Sequence, residues 1–298
     1  MSPGGLWVWL GIPGLVALGL YAPLAPGLVR EWATFSHLSH GFAVPFIAAY
    51  LVWCRRKQLR ALHPEPSLWG LPLLIVGLGA LVIGVHGHES FIARISLPVT
   101  LLGLTVFLAG PTAMRYLWVA IAYLVLMIPL PWTTTRSLAY HSRVFDADAS
   151  ALVLSWLGVP VHQNGVYLRL PTITLEVADA CSSVHYISAL LALGVAYVSL
   201  VPRPAAIRVG LVLLTFPLAV AANIIRIVTI ALGVHYLGVW TLQSVYHTFS
   251  GSVNFLLTLL LLFAIDQALV RWTKSRICST PRSWTPPESS SEIPRPSA

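Results

Sequence analysis

One apolar run decides the fold class of this chain. Residues 209–232 read VGLVLLTFPLAVAANIIRIVTIAL and carry a single charged side chain, Arg226. A helix needs about 20 mostly apolar residues to cross the hydrocarbon core of a bilayer, so this run predicts a transmembrane helix. Arginine inside such a span is costly and usually marks a functional or paired site. The same segment therefore predicts both a membrane fold and a candidate functional residue.

Similar runs recur along most of the chain. Of its 298 residues, 57% are apolar and only 9% are charged, whereas soluble domains carry about 25% charged residues. We predict an all-α polytopic membrane protein with about eight transmembrane helices. The first run lacks a signal-peptide pattern and is expected to stay as a membrane anchor. The predicted spans are residues 6–29, 41–54, 68–85, 95–109, 117–130, 181–200, 209–232 and 250–270.

The basic residues indicate the orientation of the chain. The net charge is +8, but the Lys and Arg residues cluster at alternate ends of the predicted spans rather than on one surface. Basic loops stay in the cytoplasm, so we expect both termini to be cytoplasmic. This distribution also argues against a nucleic-acid-binding face. The three clusters lie within Arg55–Arg60, Arg203–Arg208 and Arg271–Arg282.

The longest segment outside the cytoplasm, residues 132–180, is expected to form a small periplasmic cap. Mixed polar and apolar residues over 134–157 are typical of an amphipathic helix. The pair Asn164-Gly165 between β-prone residues predicts a hairpin, and strict alternation over 172–177 predicts a strand. We assign residues 1–272 to the transmembrane domain and the Ser- and Pro-rich residues 273–298 to a disordered cytoplasmic tail.

Three reactive residues from different predicted helices are expected to meet at the periplasmic side of the membrane. Cys181 begins a helix, where unpaired backbone amides favour a thiolate. Arg226 lies in the outer part of its span, and His247 precedes the last span. A thiol nucleophile, a guanidinium for an oxyanion and an imidazole for proton transfer are the parts of an acyl-transfer site. Cys54 and Cys278 lie at cytoplasmic ends, so no disulfide to Cys181 is expected.

Several short motifs accompany these three residues. They are Ser39-His40-Gly41, LMIPLP at 126–131, LGVPV at 157–161, VADACS at 177–182 and NIIR at 223–226. Together with His247 they resemble the exosortase and archaeosortase family of membrane cysteine transpeptidases. The resemblance covers nearly the whole chain except the tail.

The resemblance implies a multi-pass protein of the bacterial inner membrane that processes exported proteins. Its expected substrates carry a C-terminal signal, made of a PEP-type motif, a transmembrane helix and a basic tail. Cys181 would be the nucleophile, Arg226 the oxyanion stabiliser and His247 the general acid/base. A thioacyl-enzyme would form at the periplasmic face and pass its acyl group to an unidentified acceptor or to water. Membrane lipid is an expected partner, and no cofactor, metal ion or nucleic acid is expected.

Polar residues near the expected site are candidates for supporting roles. Glu176 and Asp179 are expected to orient His247 or Arg226, and Asn223 lies on nearly the same helix face as Arg226.

Two histidines are further candidates. His40 is expected either to join the site or to orient its loop. Many family members have Gly-Leu-Arg where residues 183–185 of this chain read SVH. His185 is therefore a candidate for an additional polar group in the site.

Other polar groups are expected to be structural. The pattern His86-x-His88 followed by Glu89 has the residue types of a metal site, but solvated loop residues are the favoured interpretation. Asp266, in the last span, is expected to pair locally with Arg271.

The sequence leaves other functions open. A transporter or polymer-export subunit would use Arg226 and Asn223 to line a substrate path. It would also be expected to place polar residues in the middle of several spans, whereas here they collect at one edge. A hydrolytic intramembrane protease would share the first half-reaction and differ only in the fate of the acyl group. A non-catalytic assembly factor would tolerate loss of Cys181.

Overall fold

The computed structural model describes residues 5–179, 182–243 and 245–278. Within these ranges, the side chains of residues 5–10, 185, 242, 243, 245–250, 252 and 272–278 are not described. The described chain is predominantly helical with one small sheet, which confirms the fold class in its main features. The helices are α1 (Gly5–Tyr21), α2 (Ala25–Thr34), α3 (Ala43–Cys54), α4 (Arg56–Ala61), α5 (Gly70–His86), α6 (Ser90–Tyr123), α7 (Trp132–Trp156), α8 (Ser183–Leu200), α9 (Ala205–Leu237), α10 (Trp240–Gln243) and α11 (Val245–Cys278).

Long apolar helices make this a multi-pass membrane protein. Among the described residues, five segments are long and apolar enough to cross a bilayer: Gly11–Thr34, Ser36–Cys54, Ser90–Met127, Ala205–Leu237 and Val253–Arg271. The apolar helices Gly70–His86 and Tyr186–Leu200 are shorter and coincide with two more of the predicted spans. The fourth predicted span, residues 95–109, and the first part of the fifth, residues 117–130, both lie within α6. The count of eight spans therefore stays a prediction.

Helix α6 bends sharply at Gly110. This residue has φ +85°, a backbone conformation that favours glycine, and the next residue is Pro111. Arg94, near the start of α6, and Met127, just after its end, line one common cleft. A straight helix would separate them by about 50 Å, so the chain runs away from the cleft, turns at Gly110 and comes back.

The residues between α7 and α8 form a three-stranded antiparallel sheet. Its strands are β1 (His162–Asn164), β2 (Tyr167–Arg169) and β3 (Thr174–Glu176), in that order. Asn164 pairs with Tyr167 across the turn, where Gly165 has φ +61°. This confirms the predicted helix, hairpin and strand in this segment.

The sheet packs against α7 beside the helix that carries Arg226, and α7 and that helix also contact each other directly. Leu168 of β2 is completely buried in a cluster with Ala147 of α7 and Ile227 of α9. A neighbouring cluster joins Leu154 of α7 to Val228 of α9. These contacts fix α9 against the sheet, so the position of Arg226 depends on the cap as well as on the transmembrane helices.

Asp266 has a different partner from the one that the sequence suggested. Its completely buried carboxylate accepts hydrogen bonds from the Tyr197 hydroxyl at 2.6 Å and from Arg203 at 2.9 and 3.1 Å. The predicted pairing with Arg271 is wrong, because residues five apart on a helix do not face each other. The ion pair instead joins α11 to the segment between α8 and α9.

Candidate active site

Arg226 is buried within α9, with 8% of its surface exposed. Its Nη1 donates a hydrogen bond to the hydroxyl of Tyr186 in the first turns of α8. The guanidinium carbon also lies 5.8 Å from the centre of the Tyr186 ring, within the range of a cation–π interaction. Tyr186 therefore holds the guanidinium from the side of α8.

A third helix reaches the same guanidinium. A Cβ atom built on Gly251 of α11 would lie 3.0 Å from the Tyr186 hydroxyl and 3.6 Å from Cζ of Arg226. Gly251 follows His247 by one helical turn, and Tyr186 follows Cys181 by five residues. The three helices expected to supply the reactive groups thus meet at Arg226. Cys181 and the side chain of His247 lie outside the described residues.

A fully buried carboxylate, Asp146 of α7, contacts both α8 and α9. Its Oδ2 accepts hydrogen bonds from the Ser183 backbone N–H at 3.1 Å, the Asn223 side-chain amide at 2.9 Å and the Ser142 hydroxyl at 3.3 Å. The Ser142 and Ser183 hydroxyl oxygens lie 2.6 Å apart. Burial raises the pKa of Asp146, and hydrogen bonds from the Ser183 backbone and from the Ser183, Asn223 and Ser142 side chains oppose that shift.

Asn223 belongs to this network. It is completely buried one turn before Arg226 and donates its amide to Asp146. The two polar residues on this face of α9 therefore have contacts of different kinds. Arg226 is held by the Tyr186 hydroxyl, and Asn223 by a carboxylate.

Sequence reasoning missed Asp146 and Tyr186. Asp146 belongs to the buried face of α7, which also contains Ala139, Ala147, Ser150 and Leu154 at helical spacing. A carboxylate on the apolar face of an amphipathic helix was therefore a readable signal. Tyr186 gave no such signal, because its hydroxyl gains its role only from the packing of α8 on α9.

The carboxylates Glu176 and Asp179 are exposed. Oδ1 of Asp179 lies 3.8 Å from Nε of Arg143, and Glu176 pairs with Tyr167 across the sheet. Within the described residues, neither carboxylate forms a hydrogen bond or ion pair with Arg226. The side chain of His185 lies outside the described residues.

His40 connects two backbone segments. Its Nδ1 lies 3.0 Å from the carbonyl oxygen of His37, and its Nε2 lies 3.2 Å from that of Leu126. Both ring nitrogens therefore contact the backbone, one before α3 and the other just after α6. These contacts hold the loop that contains His40.

A cleft of about 550 Å³ opens beside the first turns of α8. Val184 and Ser188 of α8 form part of its wall, and Arg94 is paired there with Glu31 through two hydrogen bonds of 2.7 and 2.8 Å. Its lining also includes aromatic and polar side chains, among them Phe35, His37, His40, His88, Glu89, Phe91 and Trp132. In the part of the chain that the structure describes, no three His, Cys, Asp or Glu residues are grouped to hold a metal ion.

Comparison with known proteins identifies one family. The model of the family described as transmembrane exosortase matches residues 32–264, more than three quarters of the chain. The matched region contains Cys181, Arg226 and His247. No curated protein matches the chain, and no solved structure does.

Proposed function

Because this chain belongs to the transmembrane exosortase family, we propose that it is a membrane cysteine transpeptidase. It cleaves C-terminal sorting signals of the PEP type from exported proteins at the periplasmic face of the bacterial inner membrane. The observation that supports this most strongly is the meeting of α8, α9 and α11 at the Arg226 guanidinium. Tyr186 of α8 follows the proposed nucleophile Cys181 by five residues, and Gly251 of α11 follows the proposed general acid/base His247 by four.

The proposed reaction has two acyl-transfer steps. The Cys181 thiolate attacks the scissile carbonyl carbon, and the electron pair of the C=O bond moves to oxygen. Arg226 stabilises this oxyanion. The tetrahedral species collapses, the C–N bond breaks, and His247 gives a proton to the departing amine of the signal. An acceptor nucleophile or water then loses a proton to His247 and attacks the thioester, which releases the thiolate.

The surroundings of Arg226 suit its proposed role. A guanidinium acts more strongly on a developing negative charge when water is excluded, and Arg226 is 8% exposed. The Tyr186 hydroxyl accepts a hydrogen bond from Nη1 of Arg226 and so restrains the guanidinium. A fixed donor costs less reorganisation when the oxyanion forms.

The cleft beside α8 is the proposed approach for the substrate. Its volume of about 550 Å³ lies within the usual range for a ligand site. It lies between the loop of His40 and the first turns of α8, so a bound segment would reach the start of the nucleophile's helix. Phe35 and Trp132, whose ring centres are 6.4 Å apart, offer aromatic surface on its wall.

The test is co-expression with a substrate that carries a sorting signal, a transmembrane helix and a basic tail. Cleavage is followed by the mass of the new C-terminus, which separates transfer from hydrolysis. Cys181→Ala is expected to abolish cleavage, whereas Cys54→Ala, a change at an exposed thiol on α3, should leave it intact. Equal cleavage by Cys181→Ala and wild type at equal expression would reject the proposal and favour a transporter or assembly factor.

A further inference from the structure

Asp146 has no role in the proposed chemistry, yet it joins two of the three helices on which that chemistry depends, α8 and α9. Ser183, whose N–H it accepts, is the first residue of α8 and follows Cys181 by two positions. Asn223, whose amide it accepts, precedes Arg226 by one turn of α9. One carboxylate oxygen therefore connects the start of the nucleophile's helix to the helix of the oxyanion group.

The network is specific in its geometry. Hydrogen bonds from Ser142 of α7, the Ser183 N–H of α8 and Asn223 of α9 reach the same oxygen, Oδ2. The carboxylate is completely buried. Ser142 and Asn223 hold the carboxylate in place, and the Ser183 N–H ties the start of α8 to it, because a shift of α8 away from α7 would lengthen that hydrogen bond.

We propose that Asp146 is a positioning residue for transpeptidation, which sets the start of α8 relative to Arg226. This inference rests on the proposed function. Acyl transfer requires the nucleophile and the oxyanion donor to be placed within a fraction of an ångström, and a misplacement of about 1 Å can slow a reaction by about 100-fold. Asp146 acts through Ser183 and Asn223, and it does not itself take part in bond making.

Stability alone gives a poor reason for a carboxylate at this position. Transferring a charge from water to a protein interior is costly, so a buried charge is weak evidence for a stabilising role even when it is paired. Ala147 and Leu154, on the same face of α7, are also completely buried and apolar. Leucine at position 146 leaves the Ser183 N–H and the Asn223 amide without this acceptor, so we expect it to lower stability as well as catalysis. The rate constant kcat is therefore compared per folded molecule.

The experiment compares Asp146→Leu, Asp146→Asn and wild type in kcat and KM for cleavage of a sorting-signal substrate. Leucine removes the acceptor, and we expect kcat to fall by about 100-fold with KM within about twofold. Asparagine keeps one acceptor oxygen for all three donors, so its kcat should stay within about fivefold of wild type. Asp148→Asn, at an exposed carboxylate of the same helix, is the matched control and should be unchanged.

Ser183→Pro provides an independent variant if the leucine variant does not fold. Proline lacks the N–H that Asp146 accepts but is favoured at the first position of a helix. The preceding Ser182 has the extended backbone (ψ 131°) that a following proline requires. We expect the Ser183→Pro variant to have a lower kcat and an unchanged KM.

The outcomes separate this inference from the proposed function. If Cys181→Ala is inactive but folded Asp146→Leu keeps kcat within threefold of wild type, the positioning role is wrong and the proposed function stands. An asparagine variant no more active than the leucine variant would also overturn the role. Cleavage by Cys181→Ala would instead reject the proposed function itself.

Discussion

The Tyr186 hydroxyl accepts a hydrogen bond from Nη1 of Arg226, and this bond joins the first turns of α8 to α9. Tyr186→Phe removes the acceptor and keeps the ring. We expect kcat to fall by about 10-fold, since a hydrogen bond to a charged group contributes about 1.5 to 3 kcal/mol. Steady-state cleavage of a sorting-signal substrate measures the change. An unaltered kcat in a folded Tyr186→Phe enzyme would show that this bond does not serve catalysis.

Gly251 packs closely against Tyr186 and Arg226. A methyl group on Gly251 would lie 3.0 Å from the Tyr186 hydroxyl, closer than ordinary packing allows. Gly251→Ala should therefore displace Tyr186 and lower kcat by about 10-fold, the expected size for a small misplacement of a catalytic group. The matched control is Gly210→Ala on α9, where a Cβ would contact nothing within 4 Å. Equal kcat values for the two variants would contradict the close packing at Gly251.

Asp266 is expected to affect stability rather than catalysis. Asp266→Ala leaves Arg203 and Tyr197 without their shared acceptor. Removing one partner of a buried pair typically costs about 3 to 5 kcal/mol, and less here because Arg203 is 19% exposed. Thermal unfolding in detergent should show the loss, and kcat per folded molecule should stay within about threefold. A variant as stable as wild type would show that the ion pair is energetically neutral.

Asp146 should make stability depend on pH. Because burial raises its folded pKa above the ordinary value, the folded state binds this proton more tightly than the unfolded state does. The contribution of Asp146 to the free energy of unfolding is therefore most favourable at a pH below its pKa in the unfolded chain. That contribution is lost as the pH rises through its pKa in the folded protein. This pH dependence is measured by thermal unfolding of wild type and Asp146→Asn from about pH 4 to pH 8. Parallel pH profiles of the two proteins would contradict the prediction.

Much of the fold was predictable because its signals are local. A run such as residues 209–232 has few stable arrangements outside a membrane, and Asn164-Gly165 marked a hairpin that the structure contains. The predicted spans 95–109 and 117–130 also leave a gap that begins at residue 110, where α6 turns.

The candidate site was predictable only in part. Arg226 stood out because arginine is rare inside a span. Asp146 and Tyr186 were missed, and Asp266 was given the wrong partner, for a common reason. Their contacts join helices that are distant in sequence, and helical periodicity identifies a buried face but not the residue it will meet.

The proposed function requires Cys181 to form a thioacyl-enzyme with the sorted protein. The most direct measurement is the mass of the enzyme after rapid acid quenching of a reaction with a sorting-signal substrate. We predict an adduct on the peptide that contains Cys181, equal in mass to the part of the substrate before the cleavage site and released by hydroxylamine. Cleavage that continues in Cys181→Ala, with no adduct on the wild-type peptide, would contradict the account.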